Sequence, residues 1–283
     1  MELNKTKLLT PKIWLYAIIV ISSLVMLFPF YWMVTRSLMF RIDVESAKYF
    51  FPPRITLVNY IAIILNQLGS QFSFLRAAFN SIIYVCFAVS GVVIVNSMAG
   101  FVLAKRPFRG SQYILYAIIG SMMLPSSLFL LPNFIITYKL GLYNTYPGLI
   151  IPCFVSPFSL FLFRQYMLST PDSLLDAAAI DGCNIYRTFF AIVIPISTPV
   201  ISTVVILSSL NLWNYLIWPL IITTDPKLAV LTVALVGLRV DIDTFGWSVI
   251  LAAVTLMSIP MITLYFLGQK WLISGLTSGA VKE

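Results

Sequence analysis

Residues Ala77 to Ala104 read AAFNSIIYVCFAVSGVVIVNSMAGFVLA, without one Asp, Glu, Lys or Arg. About 20 mostly apolar residues suffice to cross the hydrocarbon core of a bilayer as a helix. Five further stretches share that character: Ile13–Thr35, Tyr113–Thr137, Tyr146–Phe163, Phe189–Thr223 and Phe245–Leu267. The fourth span, Tyr146–Phe163, is the shortest and carries Pro147, Pro152 and Pro157. Phe189–Thr223 is too long for one straight crossing, so its part up to about Pro199 reads as an interfacial entry segment. The expected fold is all-α and integral to the membrane, with six transmembrane helices.

Composition agrees. Of 283 residues, 60% are hydrophobic and 10% charged, with a mean hydropathy of +0.95. Soluble domains hold roughly 25% charged residues, and disorder requires low hydrophobicity and high charge. The chain has no histidine, which excludes histidine metal sites, triads and pH switches. Cys86, Cys153 and Cys183 lie far apart and form no CxxC pair, so neither a disulfide framework nor a metal site is expected. The net charge of +8 is scattered over loops and reads as a topology signal.

Basic residues cluster on the cytoplasmic side of membrane helices. With the N-terminus inside, Lys5, Lys7, Lys12, Lys105, Arg106, Arg109, Arg164, Arg187, Lys270 and Lys282 are cytoplasmic, and the other eight basic residues lie outside. Lys105, Arg106 and Arg109 crowd one very short loop, and six crossings place both termini in the cytoplasm. The first apolar run is longer than a signal-peptide h-region and no small-x-small site follows it, which favours a retained helix. The long first loop, Arg36 to Arg76, reads either as an irregular connector or as one with a short helix around Leu57–Leu68.

The spans hold no ionisable residue of the kind that proton- or sodium-coupled carriers place at midplane. No GxxxxGK[ST] string is present, so the chain does not bind ATP by that route. The spans show no serine with a nearby basic partner, and no catalytic residue is expected. The driving force must come from elsewhere. One predicted cytoplasmic loop, Gln165–Thr188, is locally organised. Thr170 reads as an N-cap, Pro171 as the first helical position, Asp172 as a first-turn acid and Gly182 as a left-handed stop. Leu174, Leu175 and Ala178 would share a face. Interfacial lipid-binding helices are usually basic; this one carries Asp172, Asp176 and Asp181 and no cation, which favours a protein partner.

The stretch Asp176-Ala177-Ala178-Ala179-Ile180-Asp181-Gly182, then nine residues, then Ile192-Val193-Ile194-Pro195, resembles the EAA loop of type I ABC importer permeases, E-A-A-x-x-D-G, nine residues, I-x-L-P. Asp176 stands in place of Glu and Ile194 in place of Leu. Phe51-Pro52-Pro53 with Asn59-Tyr60, Asn80-Ser81, Lys105-Arg106-Pro107-Phe108, Leu140-Gly141-Leu142-Tyr143-Asn144-Thr145, Trp213-Asn214 and Gly275–Lys282 resemble strings of the carbohydrate branch, the second permease subunit of maltose- or glycerol-phosphate-type systems. Tyr215 replaces the acid common after Trp-Asn.

The resemblance implies a type I ABC importer permease fold in a prokaryotic cytoplasmic membrane, pairing with a second homologous permease, an ATPase dimer and an extracytoplasmic solute-binding protein. ATP and magnesium would be held by the ATPase, and this chain would need no cofactor. It implies three segments: 1–74 with the first helix and long loop, 75–268 as the transport domain, and 269–283 as a cytoplasmic tail. Asp176, Ala177, Ala178, Ala179, Asp181, Gly182, Ile192 and Pro195 would couple to the ATPase. Gly275, Gly279 and Lys282 would contact it from the tail, unless the tail is simply a frayed end. Asn211, Trp213, Asn214, Tyr215 and Trp218 form a polar-aromatic patch that would line the pore, although such residues also serve as interfacial anchors and helix packing. The solute would be a sugar or oligosaccharide. A polyol, glycerol phosphate or peptide is the alternative within the same fold, and an autonomous carrier or channel the alternative outside it.

Overall fold

A computed structural model describes residues 10–46, 48–67, 71–240 and 242–277, and every regular element among them is helical. In order these are α1 (Thr10–Ser37), α2 (Arg41–Glu45), α3 (Val58–Ile64), α4 (Phe74–Lys105), α5 (Ser111–Ser121), α6 (Leu130–Lys139) and α7 (Tyr146–Ile150). There follow α8 (Pro157–Leu168), α9 (Asp172–Ile180), α10 (Ile185–Thr188), α11 (Ile194–Ile196), α12 (Thr198–Trp213), α13 (Ile217–Ile222), α14 (Leu231–Val240) and α15 (Ile242–Thr277). By internal contacts the chain forms two units, residues 1–70 with 237–258 and residues 71–236 with 259–283.

Three helices are each long and apolar enough to cross a membrane: Ile13–Ser37, Phe74–Lys105 and Gly246–Lys270. The other expected spans are not straight helices. Ser111–Ser121 and Ser126–Lys139 meet at 108°, Tyr146–Cys153 and Pro157–Leu168 at 45°, and Ile185–Ile196 and Thr198–Trp213 at 76°. Counting each bent pair as one crossing gives six. Proline explains the breaks, since it lacks an N–H and disfavours helical geometry in the residue before it. Pro125 lies at the first break, Pro157 just past the second and Pro199 just past the third. Upstream of Pro195 the backbone widens into a π turn over Phe189–Val193, a common way to absorb a missing i→i−4 bond.

In the larger unit, α4 packs most extensively against α8. Its 32 residues span about 48 Å at ~1.5 Å each, more than the hydrocarbon core. Small residues permit close approach: a Cβ at Gly100 would sit 2.8 Å from that of Phe163. Asn96, fully buried, donates to the Phe154 carbonyl at 2.8 Å and accepts from the Ser156 amide at 3.1 Å. It thereby satisfies backbone groups freed by the break between α7 and α8, as an unpaired backbone group there would be costly. Asn80 donates to the carbonyls of Lys227 and Ala229 and accepts from Tyr146. The Asn144 carboxamide oxygen accepts from the Thr224 and Asp225 amides, both at 3.0 Å. The residues 224–229 are thus fastened to the ends of α4 and α7.

In the smaller unit, α3 is the helix anticipated around Leu57–Leu68, in shorter form. The Asn59 amide, buried, donates to the Ser37 and Met39 carbonyls at 2.8 Å each, and Tyr60 pairs with Ser37 Oγ. These contacts join the end of α1 to α3. Gly246 has φ 78°, and a Cβ there would meet Arg41 Cδ at 2.8 Å, so the bend within α15 requires glycine.

Candidate functional site

The Asp-rich loop folds into α9, as its capping residues dictate, with one shift of register. Pro171, not Thr170, occupies the N-cap position, so no side-chain oxygen caps the helix. The compensation comes from Lys105 at the end of α4. Its Nζ donates to the Thr170 carbonyl and to Asp172 Oδ1, both at 2.7 Å. Lys105 is only 7% exposed along its side chain, whereas Asp172 is 78% exposed. Asp172 also sits where the helix dipole favours an anion.

The C-terminus closes with a Schellman motif. The Cys183 amide donates to the Ala178 carbonyl at 2.9 Å and the Gly182 amide to the Ala179 carbonyl at 3.1 Å. Gly182 takes φ 76°, the conformation only glycine adopts without strain. Asn184 then starts α10, accepting the Arg187 amide at 2.8 Å. Sequence reasoning missed this cap, although an Asn three residues before Arg187 was its signal.

Leu175 and Ala178 are buried, with Leu175 in the cluster of Phe101, Phe163, Met167, Phe189 and Val193. Leu174, expected beside them, is instead 44% exposed; it lies about 100° around the helix from Leu175. Asp176, Ala177, Ala179 and Asp181 face outward, and Ile180 is 86% exposed. Beyond α9, Ile192 is half-buried and Pro195 exposed. One face of α9 is thus seated on the ends of α4 and α8, and the other presents acids beside bare apolar side chains.

The polar-aromatic residues of the fifth span divide. The Asn211 and Asn214 amides donate to their own helix, to the Leu207 and Leu210 carbonyls at 3.0 and 2.8 Å. Trp213 and Trp218 are 5% and 3% exposed, and Trp218 Nε1 donates to the Leu149 carbonyl. Tyr215 and Trp218 line a cavity of about 180 Å³ together with Ser126, Leu130, Asn133, Pro152, Cys153 and Leu212. Of the tail residues, Gly275 lies within α15, which runs on to Thr277. The start of the tail, through Thr277, is thus helical, while Gly279 and Lys282 lie outside the described residues.

The family model of the binding-protein-dependent transport system inner membrane component matches residues 96–278. The arabinooligosaccharides transport system permease protein AraQ of Halalkalibacterium halodurans is 34% identical, over 82% of each chain. The sn-glycerol-3-phosphate transport system permease protein UgpE of Brucella suis is 28% identical over 92% of this chain and 94% of its own. Among solved structures, a chain of a bacterial ABC transporter that imports the acidic polysaccharide alginate superposes with a TM-score of 0.81, at 22% identity, covering 94% of this chain and 98% of that one.

Proposed function

Because this chain belongs to the family of binding-protein-dependent transport system inner membrane components, as a carbohydrate-type ABC importer permease, we propose that it forms half of a pore for a sugar or oligosaccharide and is driven by an ATPase gripping α9. The family is one of multi-pass membrane transporters, not enzymes. The observation that carries the coupling role is the two-faced seating of α9. Leu175 and Ala178 are sunk into the permease and Lys105 ties its N-terminus, while Asp176, Ala179, Ile180 and Asp181 stay free for a partner. A helix held so firmly on one side moves with α4 and α8, so displacement of α9 is passed to the spans.

An N-inside topology, expected from the placement of basic residues, would put the Lys105–Arg109 loop and α9 on the side where ATP is available. A homologous permease would complete the pore, and a solute-binding protein would meet the opposite face, where residues 224–229 are fastened. The glycerol-phosphate relative keeps a non-sugar solute as the second reading. The test is retention of the ATPase by the purified complex. Asp176→Lys and Ile180→Asp should each release it, with the permease pair still assembled. Full retention in both variants would remove α9 from the coupling role.

A further inference from the structure

Basic residues near the ends of α4 and α8 are either open to solvent or have partners. Arg106 and Arg109 are exposed, and Lys105 donates to Thr170 and Asp172. Arg164, one turn before the end of α8, is the exception. It is partly buried, and its Nε is shut off from solvent without a hydrogen-bond partner. Among the described residues its guanidinium makes no hydrogen bond, ion pair or ring contact. A cation held away from water without a counter-charge is costly, and a side chain that merely snorkelled would carry its whole head group into water. Arg164 lines a cavity of about 150 Å³ between the ends of α4 and α8 and the start of α5. Ser111 and Gln112 border it from α5, and Leu103, Leu115 and Leu168 make its apolar side. No Asp or Glu lines it. The start of α5 has no side-chain cap, so the helix dipole adds to the positive potential of the guanidinium.

We propose that this cavity holds the phosphate group of an inner-leaflet phospholipid, with Arg164 as its counter-charge and the Ser111 hydroxyl as a further donor. The topology expected from the basic residues puts the cavity at the cytoplasmic surface, where anionic lipids attract cations and basic pockets between helices take lipid head groups. A guanidinium suits phosphate because it offers parallel donors in a fixed fork, and a serine hydroxyl adds one more. The volume is below the roughly 300–1,000 Å³ of sites that enclose a drug-sized ligand, so the cavity fits a phosphate and not a nucleotide. Its apolar side argues for a lipid over a free anion. Leu103, Leu115 and Leu168 offer nothing to inorganic phosphate but match the glycerol and first methylenes of a lipid. Ala104, also in the lining, precedes the Lys105 that anchors α9, so the lipid braces the helix ends on which α9 is seated.

The test uses the complete complex, stripped of lipid in detergent, and follows hydrogen exchange of the amides of residues 111–115. Dioleoyl phosphatidylglycerol, dioleoylglycerol and inorganic phosphate are the three probes. Phosphatidylglycerol should slow exchange and saturate. Dioleoylglycerol, with the same chains and no phosphate, should leave it unchanged, and inorganic phosphate should need a concentration at least about tenfold higher. Arg164→Gln should raise the half-saturating concentration of phosphatidylglycerol about tenfold, the worth of one charge-assisted hydrogen bond. Arg164→Lys, which keeps the charge and loses the fork, should raise it less. Arg109→Gln, exposed and outside the lining, should leave it unchanged. Equal slowing by dioleoylglycerol would overturn the phosphate site, and equal slowing by inorganic phosphate would overturn the lipid as its source. A half-saturating concentration unchanged in Arg164→Gln would remove Arg164 from the site and defeat the proposal. The comparison of the three probes needs no substitution, so it decides the matter even where Arg164→Gln fails to assemble.

Discussion

Replacing Lys105 by methionine keeps an unbranched apolar stem, one atom shorter, and removes the cation that secures the start of α9. Two bonds go with it, one to the buried Thr170 carbonyl and one to Asp172 Oδ1. They are unequal. A hydrogen bond from a charged donor contributes about 1.5–3 kcal/mol, and Lys105 is almost wholly shielded. The Asp172 carboxylate is 78% exposed, so its share as an ion pair is about 0–1 kcal/mol. Burial of Leu175, about 1.5–3 kcal/mol, still holds the helix down. Lys105→Met should therefore loosen α9 by about 2–3 kcal/mol, a thirty- to hundredfold rise in its undocked population at ~1.4 kcal/mol per decade. Asp172→Asn should raise it by no more than about fivefold. Hydrogen exchange of the α9 amides in the nucleotide-free complex measures both, with the middle of α4 as internal reference. Equal acceleration in the two variants, or none in Lys105→Met, would refute the assignment of Lys105 as the anchor.

Further outcomes follow from other contacts. Gly182→Val forces a β-branched residue to φ 76° at about 1–2 kcal/mol or more; transport should fall with the permease pair still inserted, as membrane fractionation and uptake would show. Asn96→Leu orphans the Phe154 carbonyl and the Ser156 amide at about 1–3 kcal/mol each, and should lower the melting temperature of the detergent-solubilised complex by several degrees. In a background without the native cysteines, Gly110→Cys and Ala179→Cys should resist impermeant thiol reagents in intact cells and react after the inner face is opened. Deleting residues 275–283 should reduce uptake and ATP hydrolysis without affecting insertion; a wild-type rate would make the tail a loose end.

Residue patterns made the spans and α9 readable because long apolar runs and capping residues act locally. Asp172 and the three alanines belong to one helix whose ends are written into the residues beside it, Gly182 among them. What lay beyond reach depended on partners far along the chain. Lys105 reads in sequence as a topology charge, and only its distance to Thr170 reveals an anchor. Thr170 reads as an N-cap until its carbonyl is seen to be used by that lysine. Hydropathy sees composition and not direction, so the 108° bend at Pro125 was hidden inside one apolar run. Ser126 and Asn133 are unremarkable in such a run; the bend brings them beside Tyr215.

The reading of α9 as the element driven by ATP is tested most directly by cross-linking from its exposed face. Ala179→Cys, in a complex otherwise lacking cysteine in this chain, is joined by a short bifunctional thiol reagent to single cysteines placed across the ATPase surface. A product with the ATPase subunit is predicted, its yield changing when ATP binds and the two ATPase copies close. Cross-links formed only to the solute-binding protein or the second permease, with none to the ATPase in any nucleotide state, would contradict it.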